Sequence, residues 1–185
     1  MAYGVAIERK AAEAAFDLKG PAGELRPALA GLGLALPERP NSSARPLGDV
    51  VVYWIGEEHW LLCAPLAEEE RLMAQLAQYA VQVSDALAAF AVMGPESAEV
   101  MVQATSLDIN HDAFPAGSAS RTEFFGLGAL IAREHDGYRV MVERSYADFI
   151  EAALHRAAGF DLPVAPGQTR PGVRDKLQGG LGQRP

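Results

Sequence analysis

The sequence predicts an α+β chain of two fused split-βαβ (ferredoxin-like) units with antiparallel sheets. Short β-branched and aromatic runs alternate with amphipathic segments. Their order is strand, helix, hairpin, helix, long strand, helix, strands, helix, which traverses one such unit and then a second. The 185 residues suit one domain, or two small halves around a shared core. The first unit is expected over about 13–93, the second over about 87–158, and the folded part over 1–160. No sequence repeat is evident; the repeat is one of element order.

Residues 14–19 read as a short strand or helix end, broken by Gly20 and Pro21. Residues 22–31 are helix-like but contain Pro27, so the helix is expected to start at that proline. An apolar run at 32–36 leads into a loop at 37–48, marked by Pro37, Pro40, Asn41 and Pro46. Runs at 50–55 and 60–64 form a hairpin across Gly56, Glu57, Glu58 and His59. Residues 66–79 make an amphipathic helix with Leu72, Met73, Leu76, Tyr79 and Ala80 on one stripe; Glu68, Glu69 and Glu70 sit near its positive end. Residues 81–83 and 87–93 read as extended chain.

A helix is expected from Gly94, with Pro95 first, to about Ala104. An irregular link at 105–117 precedes strands at 118–125, 129–134 and 138–143. In the last strand Tyr138, Val140 and Val142 alternate with Arg139, Met141 and Glu143, which predicts one buried face. Ser145 is expected to cap a final helix with Asp148 three positions on. Its stripe is Tyr146, Phe149, Ile150, Ala153, Leu154 and Ala157, and Gly159 closes it.

The net charge of −8 opposes non-specific nucleic-acid binding and docking on anionic lipid. Residues 161–185 hold four basic and two acidic side chains, so this Pro/Gly-rich tail carries +2 and the body −10. The tail is expected to be flexible, with a strap that orders on a partner as the sharper reading. One cysteine allows no internal disulfide. No apolar run reaches the roughly 18 residues of a membrane span, no signal peptide is recognisable, and a cytoplasmic location is expected.

The chemistry search ends without a catalytic constellation. His59, His111, His135 and His155 share no metal-ligand spacing, so no metal site is expected. His111 with Asp108 and Asp112 reads as turn chemistry. Gly31-Leu32-Gly33 and Gly126-Leu127-Gly128 lack the third glycine of a dinucleotide fingerprint, and no Gly-x-Ser-x-Gly elbow exists. Cys63, inside an apolar run, reads as an inert buried thiol, and Trp54 and Trp60 as core. Arg121 and Arg144 stand beside apolar strands, either as satisfied surface charges or as anchors for a partner's carboxylate. With Tyr146, Arg170 and Arg174 they form the candidate partner interface.

Four motifs in register carry a resemblance. They are Leu32-Gly33-Leu34-Ala35-Leu36-Pro37 with Pro40-Asn41; Tyr53 through Leu62; Ser106-Leu107-Asp108-Ile109 with Phe114-Pro115-Ala116-Gly117 and Arg121-Thr122; and Val142 through Ala147. Over roughly 13–157 the chain resembles the gamma subunit of heterotetrameric sarcosine oxidase. Glu143 stands where that family often has proline, and His111 follows Asn110 where it tends to have His-Pro. The resemblance implies a fold similar to the folate-binding aminomethyltransferases. It implies a non-catalytic subunit beside alpha, beta and delta chains, with FAD, FMN, NAD, tetrahydrofolate and zinc on those partners and none in this chain. The complex would oxidise an N-methyl amine such as sarcosine, with folate accepting the one-carbon unit. Alternatives are a subunit of a related N-methyl amino acid demethylase complex, a stand-alone aminomethyltransferase-like protein, and a binding module for another partner. The stretch Gly128 to Arg133 lacks the acidic pair that the aminomethyltransferases carry there.

Overall fold

In the computed structural model, which describes residues 2–160, the segments sort into two five-stranded antiparallel sheets. The tail at 161–185, including Arg170 and Arg174, lies outside the described residues. The elements are β1 (Ala6–Arg9), β2 (Ala14–Lys19), α1 (Ala22–Ala30), β3 (Ser43–Leu47), β4 (Val50–Gly56), β5 (His59–Ala64), α2 (Glu69–Leu76), β6 (Ala80–Gln82), β7 (Leu87–Met93), α3 (Ser97–Met101), β8 (Ala119–Phe124), β9 (Leu127–Glu134), β10 (Gly137–Glu143) and α4 (Ala147–Ala157). The first sheet runs β3-β4-β5-β2-β6 and the second β1-β7-β10-β9-β8.

Strand alternation dictates the layering. Phe16, Leu18, Val52, Trp60 and Leu62 face Leu25 and Leu29 of α1 and Leu72 and Leu76 of α2. Phe90, Val92, Ile131, Val140 and Val142 face Val100 and Met101 of α3 and Ile150 and Leu154 of α4. The remaining faces meet each other: Ala15, Val51, Tyr53, Leu61 and Cys63 pack on Ala89, Ala119, Leu130, Ala132 and Met141. The result is four layers, helix, sheet, sheet, helix. Both faces of β10 are therefore buried, where its alternation predicted one. No helix among the described residues is long and apolar enough to cross a membrane.

Several local expectations change. β1 was not foreseen, because AIER is four residues of mostly exposed, polar-rich chain. α1 starts at Ala22 and holds Pro27 inside it, since Leu25 and Leu29, one turn apart, must both reach the core. The loop over 37–48 contains β3; Pro46 fits there because β3 is an edge strand with a register shift between Ala44 and Leu47. The helix over 66–79 is a 3-10 turn at Leu66–Glu68 followed by α2, and the chain then turns into β6. α3 ends at Met101 rather than near Ala104. Ser145 does not cap α4: it lies in a 3-10 turn, Arg144–Tyr146, and the N-cap position is Tyr146 without a side-chain bond. α4 packs through Ala147, Ile150, Ala153 and Leu154, leaving Tyr146 and Phe149 exposed at 43% and 52%. β7 pairs only with β1 and β10, so the first sheet ends at β6 rather than within a unit reaching residue 93.

The two sheets repeat each other residue by residue, beyond the element order visible in the sequence. Phe16, Leu18, Gly20 and Pro21 correspond to Phe90, Val92, Gly94 and Pro95, and both glycines take positive φ (140° and 114°). The amides of Gly20 and Gly94 donate to the matching hairpin carbonyls of Glu58 (3.2 Å) and Asp136 (3.1 Å). Trp54 stacks edge-on against Trp60, and the matching pair is the Arg133 guanidinium over the Tyr138 ring. The place that β6 takes beside β2 is taken beside β7 by β1: the Val83 amide donates to Ala15 and the Lys10 amide to Ala89. The second unit is thus completed by a strand from the opposite end of the described chain.

Candidate functional site

The repeats join at a two-fold seam. Ser42 and Ser118 form an antiparallel bridge; the Ser43 amide donates to the Gly117 carbonyl (2.8 Å) and the Ala119 amide to that of Asn41 (3.0 Å). Asn41 and Gly117 both adopt positive φ (54° and 86°) to make these matching turns. The loops around them, which carry two of the four motifs, enclose a hollow of about 880 Å³ lined by residues including Leu36, Pro37, Asp108, Phe114 and Pro115. Of the Asp108, His111 and Asp112 cluster beside it, Asp108 acts as a turn former. Asp108 Oδ1 accepts from the Asn110 amide (3.1 Å) and side chain (2.7 Å), and His111 and Asp112 project into solvent.

The layer between the sheets is where the repeats diverge. On one side Arg139, only 8% exposed, forms an ion pair with Glu13, and Arg45 pairs with Glu134. Burial opposes the Arg139 charge, but the Tyr53 oxygen and the hydrogen-bonded Glu13 carboxylate outweigh it, so its pKa lies above the ordinary arginine value. Tyr53 adds bulk there; burial holds its phenol well above the usual tyrosine range, and its hydroxyl has no partner among the described residues. Burial likewise pushes the Cys63 thiol up to about 12, and its Sγ lies 4.0 Å from Met141 Sδ on the matching strand. A thiol so buried and neutral is unfit as a nucleophile.

On the opposite side the same positions hold smaller or apolar groups, except that an arginine recurs at one of them. Strand register matches Leu61 to Arg139, Leu87 to Glu13, Ala132 to Tyr53, Arg121 to Arg45 and Ile55 to Glu134. A cleft of about 270 Å³ remains, lined by apolar side chains from both sheets together with Asp17, Arg121, Gly128, Glu143 and Tyr146. The carboxylate that pairs with Arg45 is replaced by Ile55, and Arg121 makes no ion pair among the described residues. Asp17 is engaged: its Oδ1 lies 2.5 Å from His59 Nε2, and Oδ2 lies 3.9 Å from Lys19 Nζ.

Two of the expected interface residues, Arg121 and Tyr146, therefore come together on this cleft. Arg144 does not join them. It donates through Nε to the Asp85 carbonyl (2.7 Å) and through Nη2 to that of Ser84 (3.0 Å), stapling the crossing from β6 to β7. Two of its donors are thus engaged within the chain, although the side chain is exposed. Glu143, Gly128, Leu61 and Leu87 were not among the expected site residues; aligning the two halves through their Phe-x-Leu/Val-x-Gly-Pro stretches matches Leu87 with Glu13, whereas the match of Leu61 with Arg139 needs the strand register. No group of three or more acidic, histidine or cysteine side chains with metal-site geometry occurs among the described residues.

Comparison with known proteins places this arrangement. The model of the GCVT N-terminal domain family matches residues 40–167. The chain belongs to this family. An aminomethyltransferase of Saccharopolyspora erythraea is 30% identical over 125 residues, 62% of this chain and 34% of its own length. This GCVT-family chain thus spans about a third of that curated relative. Among solved structures, a chain of the heterotetrameric sarcosine oxidase from Corynebacterium sp. U-96, solved with pyrrole 2-carboxylate, superposes with a TM-score of 0.75 at 22% identity, over 87% of this chain and 88% of that one. The glycine cleavage system aminomethyltransferase T from Bartonella henselae gives 0.62 at 15% identity, over 82% of this chain and 45% of that one. The fold is that of the aminomethyltransferase folate-binding proteins, as the resemblance implied.

Proposed function

We propose that the chain is a non-catalytic, gamma-type subunit of a heterotetrameric, flavin-dependent sarcosine oxidase, supporting demethylation of sarcosine to glycine with one-carbon transfer to tetrahydrofolate. The reciprocal match carries this reading: 87% of this chain against 88% of a sarcosine oxidase chain, compared with 45% of an aminomethyltransferase. Alpha, beta and delta chains would be the partners and would hold the flavins, NAD, folate and zinc. Tyr146, which lines the cleft with Arg121, and Phe149, three residues on, are both exposed and offer the contact surface.

Family membership favours one competing reading, a stand-alone folate-binding aminomethyltransferase-like protein. The described residues do not fit that cofactor where the relatives carry an acidic pair. Leu130 and Ala132 face the layer between the sheets, Ala129 and Ile131 face the helices, and none of the four offers a carboxylate. Co-expression with the alpha, beta and delta chains tests the choice. A stable four-chain particle with sarcosine-dependent oxygen uptake, lost when this chain is left out, supports the subunit reading. Stoichiometric tetrahydrofolate or flavin binding by the isolated chain overturns it.

A further inference from the structure

We propose that the cleft between the sheets binds a small zwitterion of the amino-acid class, with its carboxylate on Arg121, its ammonium on Glu143 and an apolar substituent against Leu61, Leu130 and Met141. The proposal stands apart from the subunit reading. Arg121 is opposite Leu130, and Leu130 is opposite Met141, so Arg121 lies two strand spacings from β10, about 10 Å. Glu143 is two residues beyond Met141 and Gly128 two residues before Leu130, so all share the inward face. A Cβ at Gly128 would meet nothing within 4 Å, so the floor between the two charges is open. The facing wall is Leu61 and Ile55 of the first sheet.

The repeat shows what is missing. Where the other half places a glutamate beside Arg45, this half places Ile55 beside Arg121, so Arg121 stands exposed at the mouth of an apolar cleft with no ion-pair partner among the described residues. Asp17 is already held by His59, so Glu143 is the carboxylate left for an ammonium; it forms no ion pair among the described residues. An amino acid carries both charges on one carbon, so the exposed Arg121 and Glu143 side chains would reach over the open floor from either end to meet it, with the apolar substituent directed down onto Leu61, Leu130 and Met141. The volume of about 270 Å³ approaches the lower end of small-ligand sites.

The test titrates the purified full chain, by NMR and calorimetry, with L-leucine, 4-methylpentanoate and 3-methylbutylamine. Leucine should bind saturably, about tenfold or more tighter than either singly charged analogue. Arg121→Gln should weaken leucine about tenfold and leave 3-methylbutylamine unchanged. Gly128→Leu, at an ordinary φ and with room for the side chain, should abolish binding with the melting temperature preserved. Absence of saturable leucine binding below about 10 mM overturns the proposal. So does an analogue that binds as tightly as leucine, or undiminished binding by the Gly128→Leu chain.

Discussion

Replacing Glu13 by alanine leaves the Arg139 guanidinium without its counter-ion in the layer between the sheets. Arg139 is 8% exposed and its Nε already lacks a partner, so water offers little replacement. Breaking a buried ion pair from one side costs about 3–5 kcal/mol. The Glu13 side chain is 29% exposed, which puts the cost at the lower end, about 3 kcal/mol. For a chain of this size that lowers the melting temperature by about 6–12 °C. The repeat supplies the control. Glu13→Leu combined with Arg139→Leu copies Leu87 and Leu61, the matching residues of the other half, and should return stability to within about 1 kcal/mol of the native chain. Urea titrations at neutral pH, with scanning calorimetry alongside, measure both variants. A Glu13→Ala chain within about 0.5 kcal/mol of native, or a double-leucine chain no more stable than the single variant, would refute the reasoning.

Gly94→Ala should destabilise by about 2 kcal/mol in urea, because φ is +114° and the new Cβ would lie 2.5 Å from the Gly4 carbonyl oxygen; Gly128→Ala, unhindered, should stay within about 0.5 kcal/mol. Cys63 should resist thiol reagents in the native chain and react only as fast as the sheets open. Its folded pKa of about 12 lies above the unfolded value, so the unfolded chain loses the proton first; stability is intact below about pH 9 and falls by about 1.4 kcal/mol by pH 10, a slope that Cys63→Ala should remove. Arg144→Ala should raise hydrogen exchange at 84–86 about tenfold, by releasing the Ser84 and Asp85 carbonyls.

The α+β class, the hairpin of β4 and β5, and the strands β8, β9 and β10 were legible because each is a β-branched or apolar run bounded by turn residues. The sheet-on-sheet layer was not. Arg139 looks like the solvent side of an alternating strand, and only pairing with Glu13, distant in sequence, makes its burial tolerable. β1 and β3 were hidden for a related reason: edge strands draw their stability from a neighbour rather than from their own pattern. The site was half legible. Arg121 stood out as a cation beside an apolar strand, whereas the cleft it faces depends on residues being small or apolar compared with a counterpart elsewhere in the chain.

The exchange of β1 for β6 divides the second sheet along the chain, with the whole of the first sheet between β1 and β7. β7 cannot complete its sheet until it recruits the first strand, which lies next to the end of α4: the Tyr3 amide donates to the Ala158 carbonyl at 2.9 Å. Joining residue 160 to residue 3 with a short linker, leaving out 161–185, and opening the chain in the 84–86 crossing would yield a permutant in which each sheet is encoded by one uninterrupted stretch. It should still reach the same four layers, because every strand keeps its neighbours. The native connectivity makes the two halves interdependent, since each crossing ties the edge strand of one sheet to the first core strand of the other.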